Sequence, residues 1–294
     1  MPDWNQISDK LKSETGNELV VSSARRVLGG DISESYCLLG VDGTLFFIKT
    51  NAAQSAHAMF LAEALALSEI ASSKVIRVPK VLCLGQTEYE SYLVLEYLEL
   101  SSNRDDALLG RQLAAMHACT QSEYGWRIDN NIGSTIQLNA ANSNWCDFWL
   151  ENRLVPQLSA AKANGCDLAL LTLGDQLVEI SPTFLADHKP KASMLHGDLW
   201  AGNAAGLQDG TPVIFDPALY YGDREVDLAM MELFGGFTDK CFAAYNERSP
   251  IDQHGYALRK DFYNLYHLLN HYNLFGGGYQ QGCVDVMQKL LAVI

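Results

Sequence analysis

His196-Gly197-Asp198-Leu199-Trp200-Ala201-Gly202-Asn203, followed by the apolar run Val213-Ile214-Phe215 and then Asp216, decides how the rest of the chain reads. Asp198 and Asn203 stand five residues apart. At that spacing a phosphoryl-transfer loop places an acid that receives the acceptor hydroxyl's proton and an amide that holds a metal. Asp216 arrives at a strand end and offers a second oxygen ligand. Magnesium fills the rest of its shell with water and phosphate oxygens, so Asn203 and Asp216 are a sufficient contribution from the protein. Each piece alone reads as a tight turn or a strand end. Their order and spacing together point to chemistry.

Such a loop needs a nucleotide-holding unit upstream, and the first hundred residues have its parts. Phe46-Phe47-Ile48-Lys49 ends on a lysine placed to contact the α- and β-phosphates of ATP. Its partner is expected on the following helix, where Glu63 is the first candidate and Glu69 the second. Gly29-Gly30-Asp31-Ile32 joins the first two strands and could cover the triphosphate with backbone amides, although it matches neither G-x-G-x-x-G nor a Walker motif. Gly29, Gly30 and Ile32 are therefore candidate nucleotide contacts. So are Glu96 and Leu98, which flank Tyr97 after the fifth strand, where a kinase connects its lobes and pairs adenine with backbone groups.

The periodicity supplies the frame. Strands are expected over Val20–Leu28, Ser35–Leu39 and Leu45–Lys49, with Asp42-Gly43 as a hairpin turn between the last two. A helix follows over Ala52–Ala71, then strands over Val78–Leu84 and Ser91–Glu96. From Asp105 helical patterns dominate, with Leu108–Cys119 and Trp145–Asn164 as amphipathic helices and Asp129–Asn142 as an ordered loop between them. The fold class is α+β: a five-stranded antiparallel N-terminal lobe over residues 1–98, which binds ATP, and a mainly helical C-terminal lobe over 99–294, which carries catalysis and the acceptor.

Composition narrows the partners. The formal net charge of −14 disfavours an electrostatic grip on nucleic acid or an anionic membrane. No run is long and apolar enough for a membrane span, and Met1–Lys12 lacks the pattern of a secretory signal. Seven scattered cysteines without a C-x-x-C pair read as reduced thiols of a cytoplasmic protein, with no zinc site. His267 and His271 stand four apart, but no Glu follows the first, so they read as core or pocket-lining side chains. Trp145, Phe148 and Trp149 read as core, and Asp227 as a buried acceptor that ties down the catalytic loop.

The motif His196-Gly197-Asp198-Leu199-x-x-x-Asn203 with Asp216 resembles the aminoglycoside and choline kinase-like superfamily, and Trp200 and Gly202 make it similar to fructosamine (ketosamine) 3-kinases in particular. Asn131-Ile132-Gly133-Ser134-Thr135-x-Gln137-x-Asn139, Asn144-Trp145-x-x-Phe148-x-x-x-Arg153-Leu154-x-Pro156-Gln157, Asp216-Pro217-Ala218-x-Tyr220-Tyr221-Gly222 and Tyr266-His267-Leu268-Leu269-Asn270-His271 resemble the same family. The resemblance implies a protein-kinase-like fold and ATP- and magnesium-dependent phosphorylation of the 3-hydroxyl of a ketosamine, free or on a protein lysine, in deglycation. It gives Asp198 the role of base, Asn203 and Asp216 that of metal ligands, and Trp200 a face for the sugar. Some members carry a redox-sensitive cysteine in the glycine-rich loop, where this chain has Asp31. Two alternatives remain at this point: a kinase for another acceptor such as an aminoglycoside, choline or homoserine, and a nucleotide-binding pseudokinase. The second would be expected to have lost one of Lys49, Asp198, Asn203 or Asp216.

Overall fold

Asp3 starts the first helix by accepting the N–H groups of Asn5 and Gln6, each at 3.1 Å. Ile7 and Leu11, one turn apart in α1 (Trp4–Thr15), are thereby buried against a sheet. The computed structural model describes residues 2–16, 19–27, 32–185 and 188–293. Gly29, Gly30 and Asp31 lie outside the described residues. The chain divides into two units, Met1–Asp105 with Ala204–Pro217, and Asp106–Asn203 with Ala218–Ile294.

The first unit holds β1 (Val21–Val27), β2 (Glu34–Gly40), β3 (Leu45–Asn51), α2 (Ala56–Ser73), β4 (Val81–Gln86) and β5 (Ser91–Glu96). The five strands pair antiparallel in the order β1-β2-β3-β5-β4. Asp42 sets the β2–β3 hairpin by accepting the Thr44 N–H at 2.9 Å. Period-two alternation sends Phe46 and Ile48 of β3 into one cluster with Leu38, Cys83, Val94 and the α1 residues Ile7 and Leu11. Lys49 points to the other face, where α2 lies against β4 and β5.

Two element starts differ from the pattern reading by three residues or more. The helix starts at Ala56 and not at Ala52, because the Asn51 side chain accepts the Ala53 N–H at 2.8 Å and makes a turn there. The fourth strand starts at Val81 and not at Val78, after Pro79, which has no N–H to give a ladder.

β10 (Ala204–Gly206) and β11 (Pro212–Ile214) form a hairpin within the first unit, tied in where Ser101 and Gly206 exchange backbone hydrogen bonds at 2.7 and 3.0 Å. The second unit contains α3 (Asp106–His117), β6 (Thr120–Gln121), β7 (Asn130–Ile132), β8 (Thr135–Gln137), α4 (Trp145–Trp149), α5 (Val155–Ala163), α6 (Leu168–Leu185), β9 (Ala192–Leu195), β12 (Tyr220–Gly222), α7 (Glu225–Leu233), α8 (Asp239–Arg248), α9 (Gln253–Phe275) and α10 (Gln280–Leu291). A π turn over Leu150–Leu154 joins α4 to α5. Its cause is Pro156, which cannot donate to the Asn152 carbonyl. Arg153 donates to that carbonyl instead, at 2.9 Å. Trp145, Phe148 and Trp149 are buried among Tyr124, Tyr220, Phe262, Tyr263 and Tyr266. Arg153 is buried too, 4.0 Å from the Tyr220 ring centre. All seven cysteines are free thiols. No described helix is long and apolar enough to cross a membrane.

Candidate active site

The first unit gathers two carboxylates around Lys49. Its ammonium lies 2.7 Å from Glu63 Oε1 and 2.6 Å from Asp216 Oδ1. Strand alternation aims Lys49 at α2, whose second turn brings Glu63 to meet it. Burial works against the Lys49 charge, yet the two carboxylates outweigh it and hold the group above its ordinary value. Glu63 is pushed up by burial and by the like charge of Asp216, while Lys49 draws it back. A protonated lysine between two acids is the form these directions support.

Asp216 has a backbone φ of +58°, in the left-handed region that a residue with a Cβ seldom occupies, and its side chain is 45% exposed. Ile214, two residues earlier, donates its N–H to the Arg77 carbonyl at 3.0 Å. The Arg77 guanidinium in turn grips Glu96 through both carboxylate oxygens, at 2.6 and 2.5 Å. Glu96 thus spends its side chain on bracing the strand that leads to Asp216, and its N–H goes to the Lys80 carbonyl at 2.9 Å. Leu98 follows β5 outside any strand and is half-buried. Ile32, also half-buried, accepts the Asn51 side-chain N–H on its carbonyl at 2.9 Å.

In the second unit, β9 delivers His196-Gly197-Asp198. Asp227, fully buried on α7, accepts the His196 N–H at 2.7 Å and the Gly197 N–H at 2.9 Å, and pairs with His117 Nε2 at 3.1 Å. Burial would raise this carboxyl, but the contacts with His117 and His196 reverse the sign and hold it below its usual range. Gly197 is required here: φ is +83°, and a Cβ would sit 2.1 Å from the Ala218 carbonyl oxygen. Asn203 donates its side-chain N–H to the Asp198 carbonyl at 2.9 Å and to Asp198 Oδ2 at 3.2 Å. With the nitrogen used in this way, Oδ1 is the atom left to ligate a cation. The Asp216 carboxylate in the first unit and the Asn203 amide oxygen in the second are each hard donors of the kind that magnesium takes. Trp200 is 41% exposed on the same loop.

Sequence reasoning missed the polar brace behind this loop. Asn130 donates to the Leu219 carbonyl at 2.8 Å, and Gln137 to the Ala218 carbonyl at 3.0 Å and to Asn130 Oδ1 at 2.9 Å. The signal was a run of Asn and Gln over residues 130–142, in which no residue is charged. A second cluster, His188, Asp223 and Glu225, has ligand-type atoms within 4.8 Å of one another. Its oxygens are already committed: Asp223 to His188 at 2.6 Å and to Tyr263 at 2.7 Å, and Glu225 to Arg259 at 2.7 and 2.9 Å. A guanidinium at that place makes it a structural ion pair.

Comparison with known proteins agrees across the whole length. The family model described as fructosamine kinase matches residues 3–293. A Synechocystis protein named a probable ketoamine kinase is 44% identical, with 99% of this chain and 97% of that protein covered. A chloroplastic protein-ribulosamine 3-kinase of Oryza sativa subsp. indica is 36% identical over 95% of this chain and 82% of its own. A crystal structure from Haemophilus somnus 129PT, carrying a fructosamine-3-kinase assignment, superposes with a TM-score of 0.89 at 30% identity over 98% of this chain and 97% of the other.

Proposed function

The chain belongs to the fructosamine kinase family, and on that premise we propose that it transfers the γ-phosphoryl group of ATP to the 3-hydroxyl of a ketosamine, a sugar adduct of an amine such as a lysine side chain. The observation that carries the phosphotransferase half is Lys49, held at 2.7 Å by Glu63 and 2.6 Å by Asp216. The full set of Lys49, Asp198, Asn203 and Asp216 favours an active kinase over a pseudokinase.

On this reading Asp198 accepts the proton of the 3-hydroxyl as its oxygen bonds to the γ-phosphorus. The bond from that phosphorus to the β–γ bridging oxygen breaks, and ADP leaves. Lys49 binds phosphate oxygens, and Glu63 keeps its ammonium in place. Asn203 Oδ1 and the Asp216 carboxylate would each supply an oxygen ligand to magnesium, whose charge would offset that of the phosphates. Trp200 offers an apolar face to the sugar. Gly29, Gly30 and Ile32 are assigned to the phosphates, and the segment from Glu96 to Leu98 to the adenine. Most of the acceleration is alignment and charge neutralisation. The free thiols, four of them buried, suit a reducing compartment such as the cytoplasm.

An ADP-release screen with magnesium ATP over ribulosamines, fructosamines, aminoglycosides and choline tests the assignment. Ketosamines are expected to stand out. Release with choline or an aminoglycoside alone would contradict it.

A further inference from the structure

Five rings of the second unit form an open aromatic panel, of which only Trp200 has a part in holding the sugar. Trp200 comes from the catalytic loop, Phe234 follows α7, and His271, Phe275 and Tyr279 come from the end of α9 and the turn Gly277–Tyr279 after it. Ring centres step from Trp200 to Phe234 by 6.5 Å, from Phe234 to His271 by 5.1 Å, and from His271 to Phe275 by 5.7 Å and to Tyr279 by 5.1 Å. Trp200, Phe234 and Phe275 remain 41, 43 and 54% exposed. A helical unit with this much core could bury such rings, and single exposed aromatics are ordinary, but a contiguous exposed set marks a recognition surface.

The panel is held in shape. His271 Nδ1 donates to the His267 carbonyl at 2.8 Å, which fixes the central ring. Gly236 adopts φ +87°, and a Cβ on it would come within 2.4 Å of the Ala201 Cβ. The chain after Phe234 is therefore seated on the residue after Trp200. Among the described residues, arginine and lysine stack on other rings, such as Arg153 on Tyr220 and Lys260 on Tyr256, and none on these five. Aromatic faces attract cations, and a chain of net charge −14 does not repel them.

We propose that the panel of Phe234, His271, Phe275 and Tyr279, which adjoins Trp200, is the subsite for the amine arm of the acceptor, packing against the alkyl chain that follows the secondary ammonium, as in a lysine side chain. The proposal rests on the ketosamine reading. Its occupant is the arm and not the sugar, so it makes the aglycone a determinant of specificity.

The test compares kcat/KM for the ribulosamine of methylamine with that for the ribulosamine of the lysine ε-amine, in the parent chain, in Phe234→Ala/Phe275→Ala and in Phe275→Tyr. The parent should favour the lysine adduct. The double variant should lose roughly tenfold of that preference, mainly through KM, as removal of two rings packed against an alkyl chain allows. Phe275→Tyr, which keeps the ring, should retain it. ATP binding by calorimetry reports that each variant is folded. An unchanged ratio in the double variant, or an equal loss on both adducts, would overturn the subsite while leaving the ketosamine reading intact. Turnover of neither adduct by the parent would overturn the ketosamine reading and the subsite with it.

Discussion

Asp216 and Asp227 are the same residue type, eleven positions apart, and their surroundings divide their work. Asp227 is fully buried and takes two backbone N–H groups and the His117 ring. His117 meets the Tyr245 hydroxyl at 2.8 Å with its other nitrogen. Asp216 is half exposed, sits on a left-handed backbone and meets one lysine. A carboxylate saturated by the protein's own donors is a structural part, because removing it strands every donor that it satisfied. One held by a single cation at an open position, on strained backbone, is available to something else. The same criterion classes Asp223 and Glu225 with Asp227.

The largest effect is expected at neither of them. Asp198→Asn should lower turnover by about 10² to 10⁴ while ATP still binds, which is the range of general-base assistance. Near-normal steady-state turnover in that variant would remove Asp198 from the role. Asp227→Ala should lower unfolding free energy in urea by about 3–5 kcal/mol, because a buried charge network loses its centre. Asp216→Ala should leave the urea midpoint close to the parent's and instead weaken magnesium-dependent ATP binding about tenfold, through the loss of an oxygen ligand. If the two variants exchanged these outcomes, the division drawn here would be wrong.

A smaller effect separates the buried core from the site by pH. His267 is buried with neither ring nitrogen partnered among the described residues, and burial pushes it down to about 3. The unfolded chain binds a proton there near 6.5 and the folded chain does not, so stability falls as pH drops below about 6.5, by about 1.4 kcal/mol per unit. Between pH 7 and pH 5 the loss should be about 2 kcal/mol. Urea melts of His267→Leu should show a flatter slope across that interval; an unchanged slope would assign the proton uptake elsewhere.

Local chemistry was legible in the sequence. The Asp42-Gly43 hairpin, the alternation in β3 and the helical spacing of α2 fixed the sheet and aimed Lys49 at Glu63. Asp227 could be read as a buried acceptor because it lies in an apolar helical run. What sequence could not supply was pairing across long separations. Lys49 and Asp216 are 167 residues apart, and Gln137 meets Ala218 across 81, with no periodicity to announce either contact. Glu96 was read through its place at the end of β5, yet its carboxylate answers to Arg77, which no pattern links to it. The π turn before Pro156 was hidden because an unbroken helical period runs through it.

The identity of the acceptor is tested most directly by one measurement. Steady-state kinetics on the lysine ε-ribulosamine and on an aminoglycoside, run side by side with magnesium ATP, should give the higher kcat/KM for the ribulosamine, and phosphorus NMR of the product should place the phosphate on O3. Phosphate at another sugar position, or faster turnover of the aminoglycoside, would contradict the ketosamine 3-kinase assignment.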